Sequence, residues 1–274
     1  LIFGSGSLGI HALIFGTVIG ALLQAVLLYV HFFRNHCQKI GFSLKSWLSE
    51  DMRLVVKTMI PYLLAGVVME STVIVDVGMA GMLDSGSVSV LTYAERVCAI
   101  GLTLALTAVS GAIYPYLADL VAQERWIELR RTIYRFGGLT LVGSIPVIGI
   151  IWGGSEWIVG TLFERGEFTS DDTARVSVVL RWLSLQIPFF ILAVLGSRVV
   201  CAMLASKFML FTTFVNLGLN ILFNYLFMQW IGLAGIALST SMVYAFSAFM
   251  LFAYFHVQVN RRIREGSQTE EKAS

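Results

Sequence analysis

The hydrophobic residues of this chain gather into long runs that are separated by short polar segments. Each run holds roughly 20 residues or more, the length a helix needs to cross about 30 Å of hydrocarbon. The runs do not alternate in the manner of barrel strands, and a helix is the open structure that satisfies its own backbone in lipid. The pattern therefore predicts an all-α polytopic membrane protein with about seven transmembrane helices, at residues 8–32, 56–81, 88–116, 136–153, 172–202, 209–229 and 231–256.

Composition supports a chain whose solvent is mostly lipid. Of its 274 residues 57% are hydrophobic and 13% are charged, whereas a soluble domain carries roughly 25% charged residues. The net charge of +2 does not indicate a nucleic-acid partner. The chain opens with Leu1 at the edge of an apolar run and has no basic segment with a cleavage site. We therefore expect residues 8–32 to be a membrane span and not a signal peptide, in a fragment that lacks earlier helices.

The distribution of Lys and Arg predicts the orientation of the chain, because these residues accumulate on the cytoplasmic side of membranes. Fourteen of the 19 basic residues fall in residues 33–57, residues 117–135, the turn at Lys207 and the tail that begins at Arg261. The connections on the opposite side hold only two. This bias places the carboxy-terminus in the cytoplasm and residue 1 outside it, as seven crossings require.

Two polar segments allow structural predictions of their own. Residues 125–131 surround an apolar stripe with arginines, which fits either a helix lying at the membrane interface or a solvated loop. The tail after Glu265 is polar and charged, and we expect it to be disordered. Thr169 and Asp172 have the spacing of a capping box at the start of the fifth span.

Charged side chains inside the apolar spans are the main candidates for function. Each costs at least about 2.5–3.5 kcal/mol at a helix centre, so each must face protein or water. Six such residues are candidates for substrate binding: Glu70, Asp76, Glu95, Arg96, Arg181 and Arg198.

The hairpin between the second and third spans brings two of these charges to similar depth. Asp76 precedes Gly86 by ten residues and Arg96 follows it by ten, so at 1.5 Å per residue we predict an ion pair. The pair is either a cargo site or a structural staple. Glu70 lies about 120° around the helix from Asp76 and should face another surface. It suits either a cation or proton site or an interhelical hydrogen bond.

The remaining spans carry signals that are mainly structural. Pro188 should kink the fifth span, with Arg181 on its outer side and Arg198 near enough to its cytoplasmic end to snorkel. Asn216, Asn220 and Asn224 recur every four residues and are expected to bond another helix or to face a cavity, with interhelical bonding favoured. Glycines in the first, sixth and seventh spans favour close helix contact.

Several kinds of chemistry lack a motif in this sequence. Cys37, Cys98 and Cys201 have no paired spacing, so we expect neither a disulfide nor a metal site. The four histidines are scattered, and no phosphate-binding Gly loop or nucleophile motif is present. We therefore predict no cofactor and no enzymatic activity.

Four sequence segments resemble the MviN-type (MurJ) lipid II flippase family, in the order in which that family carries them. They are GIHALIFGTVIGALLQ at 9–24, LDSGSVSVLTYAERV at 83–97, LFERGEFTSDDT at 162–173 and NLGLNILFNYLFMQWIGLAGIALSTS at 216–241. The family belongs to the multidrug/oligosaccharidyl-lipid/polysaccharide exporter superfamily, whose fold has two six-helix lobes around a central cavity.

The resemblance implies an organisation for the chain. Residues 1–33 would contain the last helix of the first lobe, 34–55 a cytoplasmic connection, 56–257 the complete six-helix second lobe, and 258–274 a cytoplasmic tail. The family usually has two further helices that hold the lipid tail, and this chain ends before them.

The resemblance also implies a function and a location. The chain would be a flippase in the bacterial inner membrane that moves a polyprenyl-pyrophosphate-linked glycan, lipid II or a related peptidoglycan or polysaccharide precursor, by alternating access. Its partners would be that lipid-linked glycan, membrane lipids, a possible coupling ion and the missing amino-terminal helices. In the family, the basic residue that matches Arg96 lines the cavity and is important for transport. A guanidinium stays charged and binds phosphate oxygens in pairs, so Arg96 would hold the pyrophosphate.

Two alternatives to a flippase stay open on the sequence. A multidrug/cation antiporter of the same superfamily would favour carboxylates over arginines in the cavity, and the apolar spans hold three of each. A transport-inactive membrane scaffold would bind a partner without moving a cargo.

Overall fold

The computed structural model describes residues 9–35, 50–108, 111 and 113–273. All of their regular structure is helical, and the described part of the chain contains no strand. The nine helices in this part are α1 (Gly9–Asn35), α2 (Glu50–Ala80), α3 (Ser87–Ala108), α4 (Tyr114–Ala122), α5 (Trp126–Phe163), α6 (Ser170–Ser184), α7 (Gln186–Ala202), α8 (Ser206–Ile231) and α9 (Leu233–Ala273). Cys37 and most of the predicted connection at 34–55 lie outside the described residues.

The chain divides into two compact units, Leu1–Arg53 and Leu54–Ser274. The described part of the first unit is α1 with the first residues of α2, and within α1 the segment Val18–Val30 forms a shorter apolar helix. The second unit holds the rest of α2 and all of α3 to α9.

The second unit contains the helices that are long and apolar enough to cross a membrane. Five qualify alone, within α2, α3, α5, α8 and α9, and the pair α6 and α7 forms a sixth that is bent by 42°. The bend lies at Leu185, and Pro188 stands in the first turn of α7. Because proline cannot donate to the preceding turn, its position accounts for the break. The predicted kink in the fifth span is therefore confirmed.

Part of one predicted span lies outside the described residues. Within the run at 88–116, α3 extends to Ala108 and α4 begins at Tyr114, with Pro115 in its first turn, a position that suits proline. The prediction for residues 125–131 is wrong. Residues 125–131 form neither a separate interfacial helix nor a loop. From Trp126 onward they are the first turns of α5, and Leu129 is fully buried there.

The polar tail also differs from its prediction. It is helical to Ala273 as the continuation of α9. The start of this extension is tied to the rest of the unit: Val259 is buried, and Arg130 donates a 3.0 Å hydrogen bond to Asn260. The Arg261–Glu265 ion pair adds i,i+4 support along the helix.

Helix α9 is the centre of the second unit. One core cluster joins α3, α6 and the start of α9, and it includes Leu91, Leu180 and Ile236. A second cluster joins α4, α5, α7 and the later part of α9 around Leu195 and Phe255. Burial of these side chains on several faces of α9 positions α6, α7 and α8 around it.

A single residue, Gly232, connects α8 to α9. Its φ of +60° lies in the left-handed region, which glycine adopts without steric cost. Three residues later, a Cβ at Gly235 would overlap the carbonyl group of Phe227. The tight turn and the close approach together let α8 and α9 pack with their backbones in contact, as the sequence predicted for these glycines.

We expect Gly235→Ala to destabilise the α8–α9 pair, because the added methyl meets backbone that cannot move aside. The loss should be about 1–3 kcal/mol or more, measured as a lower midpoint of thermal unfolding in detergent. Gly218→Ala is the matched control, since a Cβ there meets nothing within 4 Å and alanine is the better helix former. Equal stability of the two variants would contradict the close approach.

Candidate functional site

A cavity of about 350 Å³ lies inside the second unit, between α2 and α3 on one side and α6 to α9 on the other. Its lining is mainly apolar, with two carboxylates, Asp76 and Glu95. Among the described residues that line it, none is Lys, Arg or His. We call it the acidic cavity. Its polar and aromatic lining residues are Thr72, Asp76, Glu95, Gln186, Phe190, Ser197, Thr212, Thr213, Asn216, Asn220, Thr240, Tyr244 and Ser247.

Asp76 is the most buried charge at this site, with a relative exposure of 7%. One carboxylate oxygen, Oδ1, accepts hydrogen bonds from Asn220 Nδ2 at 2.9 Å and from Asn224 Nδ2 at 2.6 Å. The two asparagines are one helical turn apart and present both amides to the same point. The carboxylate therefore ties α2 to α8 inside the membrane.

The rest of the asparagine stripe bonds α9. Asn216 Nδ2 donates to Ser247 Oγ at 3.1 Å, and Ser239 Oγ donates to the Asn220 backbone carbonyl at 3.5 Å. The prediction that the stripe bonds other helices is confirmed. The side-chain oxygens of Asn216, Asn220 and Asn224 are buried and have no hydrogen-bond partner among the described residues.

Glu95 enters the acidic cavity from α3 and is half-buried. One turn further along α3, Cys98 accepts a 3.4 Å hydrogen bond from Gln186 Nε2, and its thiol points to the Leu183 carbonyl at 3.9 Å. These contacts hold α3 against the bend between α6 and α7. Sequence reasoning missed this role, and the position of Gln186 two residues before Pro188 was the available signal.

The predicted ion pair between Asp76 and Arg96 is wrong. Asp76 bonds the two asparagines instead, and Arg96 is exposed on α3, outside the lining of the acidic cavity. Equal depth in a hairpin sets the height of two side chains but not their direction around the helix. Arg96 follows Glu95 by one residue and so points about 100° away from it.

The other candidate charges also lie outside this lining. Arg181 donates to Ser155 at 2.7 Å and forms a 2.9 Å ion pair with Glu156 on α5. The guanidinium of Arg198 lies 5.8 Å from the ring centroid of Tyr114. Glu70 is exposed and lies off the lining, on a different surface from Asp76 as predicted. Of the six candidates, the structure brings only Asp76 and Glu95 into one cavity.

The predicted capping box at the start of α6 is confirmed. The Thr169 side chain accepts from the Asp172 backbone N–H, and the Asp172 carboxylate accepts from the Thr169 backbone N–H at 3.0 Å. Glu164 accepts a 3.0 Å hydrogen bond from the Thr173 hydroxyl. The loop is thereby fixed to the helix that follows it.

One wall of the cavity is aromatic, a feature that the sequence did not indicate. The rings of Phe190 on α7 and Tyr244 on α9 meet edge to face, with centroids 5.2 Å apart and an interplanar angle of 80°. The two helices are apolar on several faces, so spacing alone could not show which aromatic side chains would converge.

A family model described as "Lipid II flippase MurJ" matches residues 1–270. The chain belongs to the MurJ lipid II flippase family. A probable lipid II flippase MurJ from Bdellovibrio bacteriovorus is 28% identical over 233 residues, which are 83% of this chain and 43% of that protein. One from Helicobacter pylori is 30% identical over 201 residues, 70% of this chain and 42% of that protein. The chain thus spans about half the length of these relatives.

Solved structures agree on the fold. A lipid II flippase MurJ in an inward closed conformation matches with a TM-score of 0.61 and 24% identity, over 88% of this chain and 50% of that one. A MOP superfamily transporter from Pyrococcus furiosus matches with a TM-score of 0.75 and 15% identity, over 94% and 58% respectively. The predicted fold class, an all-helical polytopic membrane protein, is confirmed.

We expect Asn224→Ala to lower the free energy of unfolding by about 1.5–3 kcal/mol, because it removes a hydrogen bond to a charged group. In an Asp76→Asn background the same substitution should cost clearly less, since the charge that strengthens the bond is gone. Thermal unfolding of the four proteins of this double-mutant cycle measures the coupling. An equal cost in both backgrounds would show that Asp76 is not the partner that matters.

Proposed function

We propose that this chain forms the second lobe of a flippase that moves a polyprenyl-pyrophosphate-linked glycan, lipid II or a related cell-wall precursor, across the bacterial inner membrane. The observation that carries the proposal is the family match over residues 1–270. Within the proposal, residues 1–33 supply the last helix of the first lobe, 34–55 a cytoplasmic connection, 56–257 the second lobe and 258–274 a cytoplasmic tail. The chain transports its cargo and does not modify it.

We assign the cargo headgroup to a surface outside the acidic cavity, because the carboxylates of that cavity would repel its negative charges. Arg96 suits it, because this residue is exposed on a membrane-spanning helix. It lies nine residues into α3, about 14 Å from the helix start and so near the bilayer midplane. An arginine at that depth requires water or an anion beside it. The lipid tail stays in the bilayer while the headgroup crosses.

The energy source is assigned to the membrane potential or to an ion gradient. Asp76 is the residue at which a coupling ion acts in this proposal. Its two described partners are neutral amides, so a proton or a cation would change the net charge at that point. Occupancy of this position would alter the tie between α2 and α8, and alternating access requires helices to change their contacts.

Complementation of a bacterium depleted of its lipid II flippase tests the cargo role. We expect Arg96→Ala to abolish rescue by the gene that encodes this chain. Arg181→Gln is the matched control. It also removes an arginine from a span, but Arg181 already bonds Ser155 and Glu156, so this variant should keep most of the rescue. Immunoblots of the membrane fraction control for expression. Equal rescue by both variants would remove Arg96 from the mechanism.

The orientation of the chain is part of the proposal, with the tail in the cytoplasm and the loop around Gly166 outside. In a background whose native cysteines are replaced by serine, the Gly166→Cys variant should react with a membrane-impermeant maleimide in intact cells whose outer membrane has been permeabilised. The Gln268→Cys variant should react only after the inner membrane is opened. The reverse pattern would invert the assigned topology.

A further inference from the structure

Four polar side chains form a hydrogen-bonded chain between α5 and α9, at the end of the second unit where α5 begins. The guanidinium of Arg130 donates to Asn260 Oδ1 at 3.0 Å, and Asn260 Nδ2 lies 2.8 Å from His256 Nε2. His256 Nδ1 in turn lies 2.7 Å from the Tyr134 hydroxyl oxygen. Tyr134 is 47% exposed, so this hydrogen-bonded chain ends at the surface of the unit.

Arg130 fixes the direction of every bond in the hydrogen-bonded chain. An arginine can only donate, so the Asn260 side-chain oxygen faces Arg130 and the Asn260 amide N–H faces His256. Nε2 of His256 must then accept, and the neutral ring carries its hydrogen on Nδ1, from which it donates to the Tyr134 oxygen. The Tyr134 O–H is thereby left to donate outward, to an acceptor that lies beyond the described residues.

Two arginines flank this outward donor. Arg131 precedes Tyr134 by three residues and Arg135 follows it by one, and both are exposed. In the described part of the chain neither of them forms an ion pair. Residues three and four apart share one helix face, so two guanidinium groups and one hydroxyl are presented together. Arginine binds the oxygens of a phosphate group in pairs, so this surface suits a phosphate.

The depth of this surface indicates that the phosphate belongs to a lipid. Residues 136–155 of α5 carry no charge, and at 1.5 Å per residue they cover about 30 Å, the thickness of the hydrocarbon core. Arg135 therefore lies at the edge of that core, at the level of the headgroups. Leu139, Val142 and Ile145 continue the same face into the core and are exposed by 60%, 69% and 66%. Acyl chains can lie along this apolar stripe.

We propose that Arg131, Arg135 and the Tyr134 hydroxyl bind the phosphate of one anionic phospholipid, in the leaflet that the proposed orientation makes cytoplasmic. A zwitterionic headgroup is disfavoured, because the arginines repel its ammonium group. His256 and Asn260 are positioning residues, which hold the hydroxyl in its donating direction.

The site is separate from the acidic cavity, since none of its residues lines that cavity. It also does not depend on the proposed flippase function, because a phospholipid can bind here whether or not the chain moves a lipid-linked glycan.

The test compares lipids that share their tails and their phosphate. The purified, delipidated chain is titrated in detergent, and intact protein–lipid complexes are counted by native mass spectrometry. Dimyristoyl phosphatidylglycerol should bind saturably at one molecule per chain. Dimyristoyl phosphatidylcholine should bind at least about tenfold more weakly, because its ammonium group is repelled. Undecaprenyl pyrophosphate stands for the cargo, and its binding should not depend on Arg135.

Variants of exposed residues identify the site. Tyr134→Phe removes only the hydroxyl and should weaken phosphatidylglycerol binding by roughly tenfold, the loss of one hydrogen bond to a charged group. Arg135→Gln should weaken it by about 10- to 100-fold. Arg125→Gln is the matched control. It removes the same charge from the same end of α5, but Arg125 already pairs with Glu128, so binding should be nearly unchanged.

The positioning role has a test of its own. His256→Ala should weaken phosphatidylglycerol binding about as much as Tyr134→Phe does, because the hydroxyl loses the bond that directs it. The double variant should bind little worse than either single variant, since both remove the same donor. Additive losses would mean that His256 acts separately from Tyr134, and the directed hydrogen-bonded chain would be wrong.

Four further results would overturn the proposal. Equal affinity for the two phospholipids would mean that the tails bind without recognition of the headgroup. Equal losses in Arg125→Gln and Arg135→Gln would mean a diffuse effect of charge and not a site. Unchanged binding in Tyr134→Phe would remove the hydroxyl from the site. Loss of undecaprenyl pyrophosphate in Arg135→Gln, with phosphatidylglycerol unaffected, would assign the surface to the cargo.

Discussion

A carboxylate buried among membrane-spanning helices imposes the strictest requirement on this structure. Transferring Asp76 from water to its site costs several kcal/mol, about 3 or more on insertion scales, unless nearby donors stabilise the charge. Asn220 and Asn224 supply two donors from consecutive turns of α8. For both amides to reach the carboxylate, α8 must be helical from Asn220 to Asn224, and α2 must place Asp76 level with these two residues. The register between these two helices is therefore set by a polar contact, in a solvent where apolar side chains gain little by meeting one another.

The packing of α8 against α9 supports that contact from behind. Gly235 lets the two backbones touch, and the bond from Asn216 to Ser247 fixes their rotation. Helix α9 also contacts α5, α6 and α7 through the two core clusters. The core therefore fixes the position of α9, and α9 fixes the position of α8. Helix α2 then stands against this assembly partly through the Asp76 carboxylate. A change in the charge at Asp76 would loosen one helix and leave the core intact.

Sequence patterns predicted those features whose cause is local. The lengths of the apolar runs gave the helical class, Pro188 gave the bend, and Thr169 with Asp172 gave the cap, because each effect acts within a few residues. Long-range pairing was not predictable in the same way. Arg96 and Asp76 were expected to meet from their positions in the hairpin, yet the Asp76 side chain bonds asparagines of α8 that are more than a hundred residues distant. The prediction of a disordered tail was wrong for a related reason. The tail continues the helix α9, and its first residues contact α5.

The structure keeps the two carboxylates of the acidic cavity apart from the arginines of the neighbouring helices. The carboxylates Asp76 and Glu95 share one cavity, while Arg96 is exposed and Arg181 bonds α5. Such separation costs Coulomb energy that pairing would have recovered, so packing alone does not explain it. Glu95 and Arg96, at neighbouring positions of α3, therefore point to different surroundings. Because the two residues are consecutive, a rotation of α3 that buried one more deeply would move the other as well.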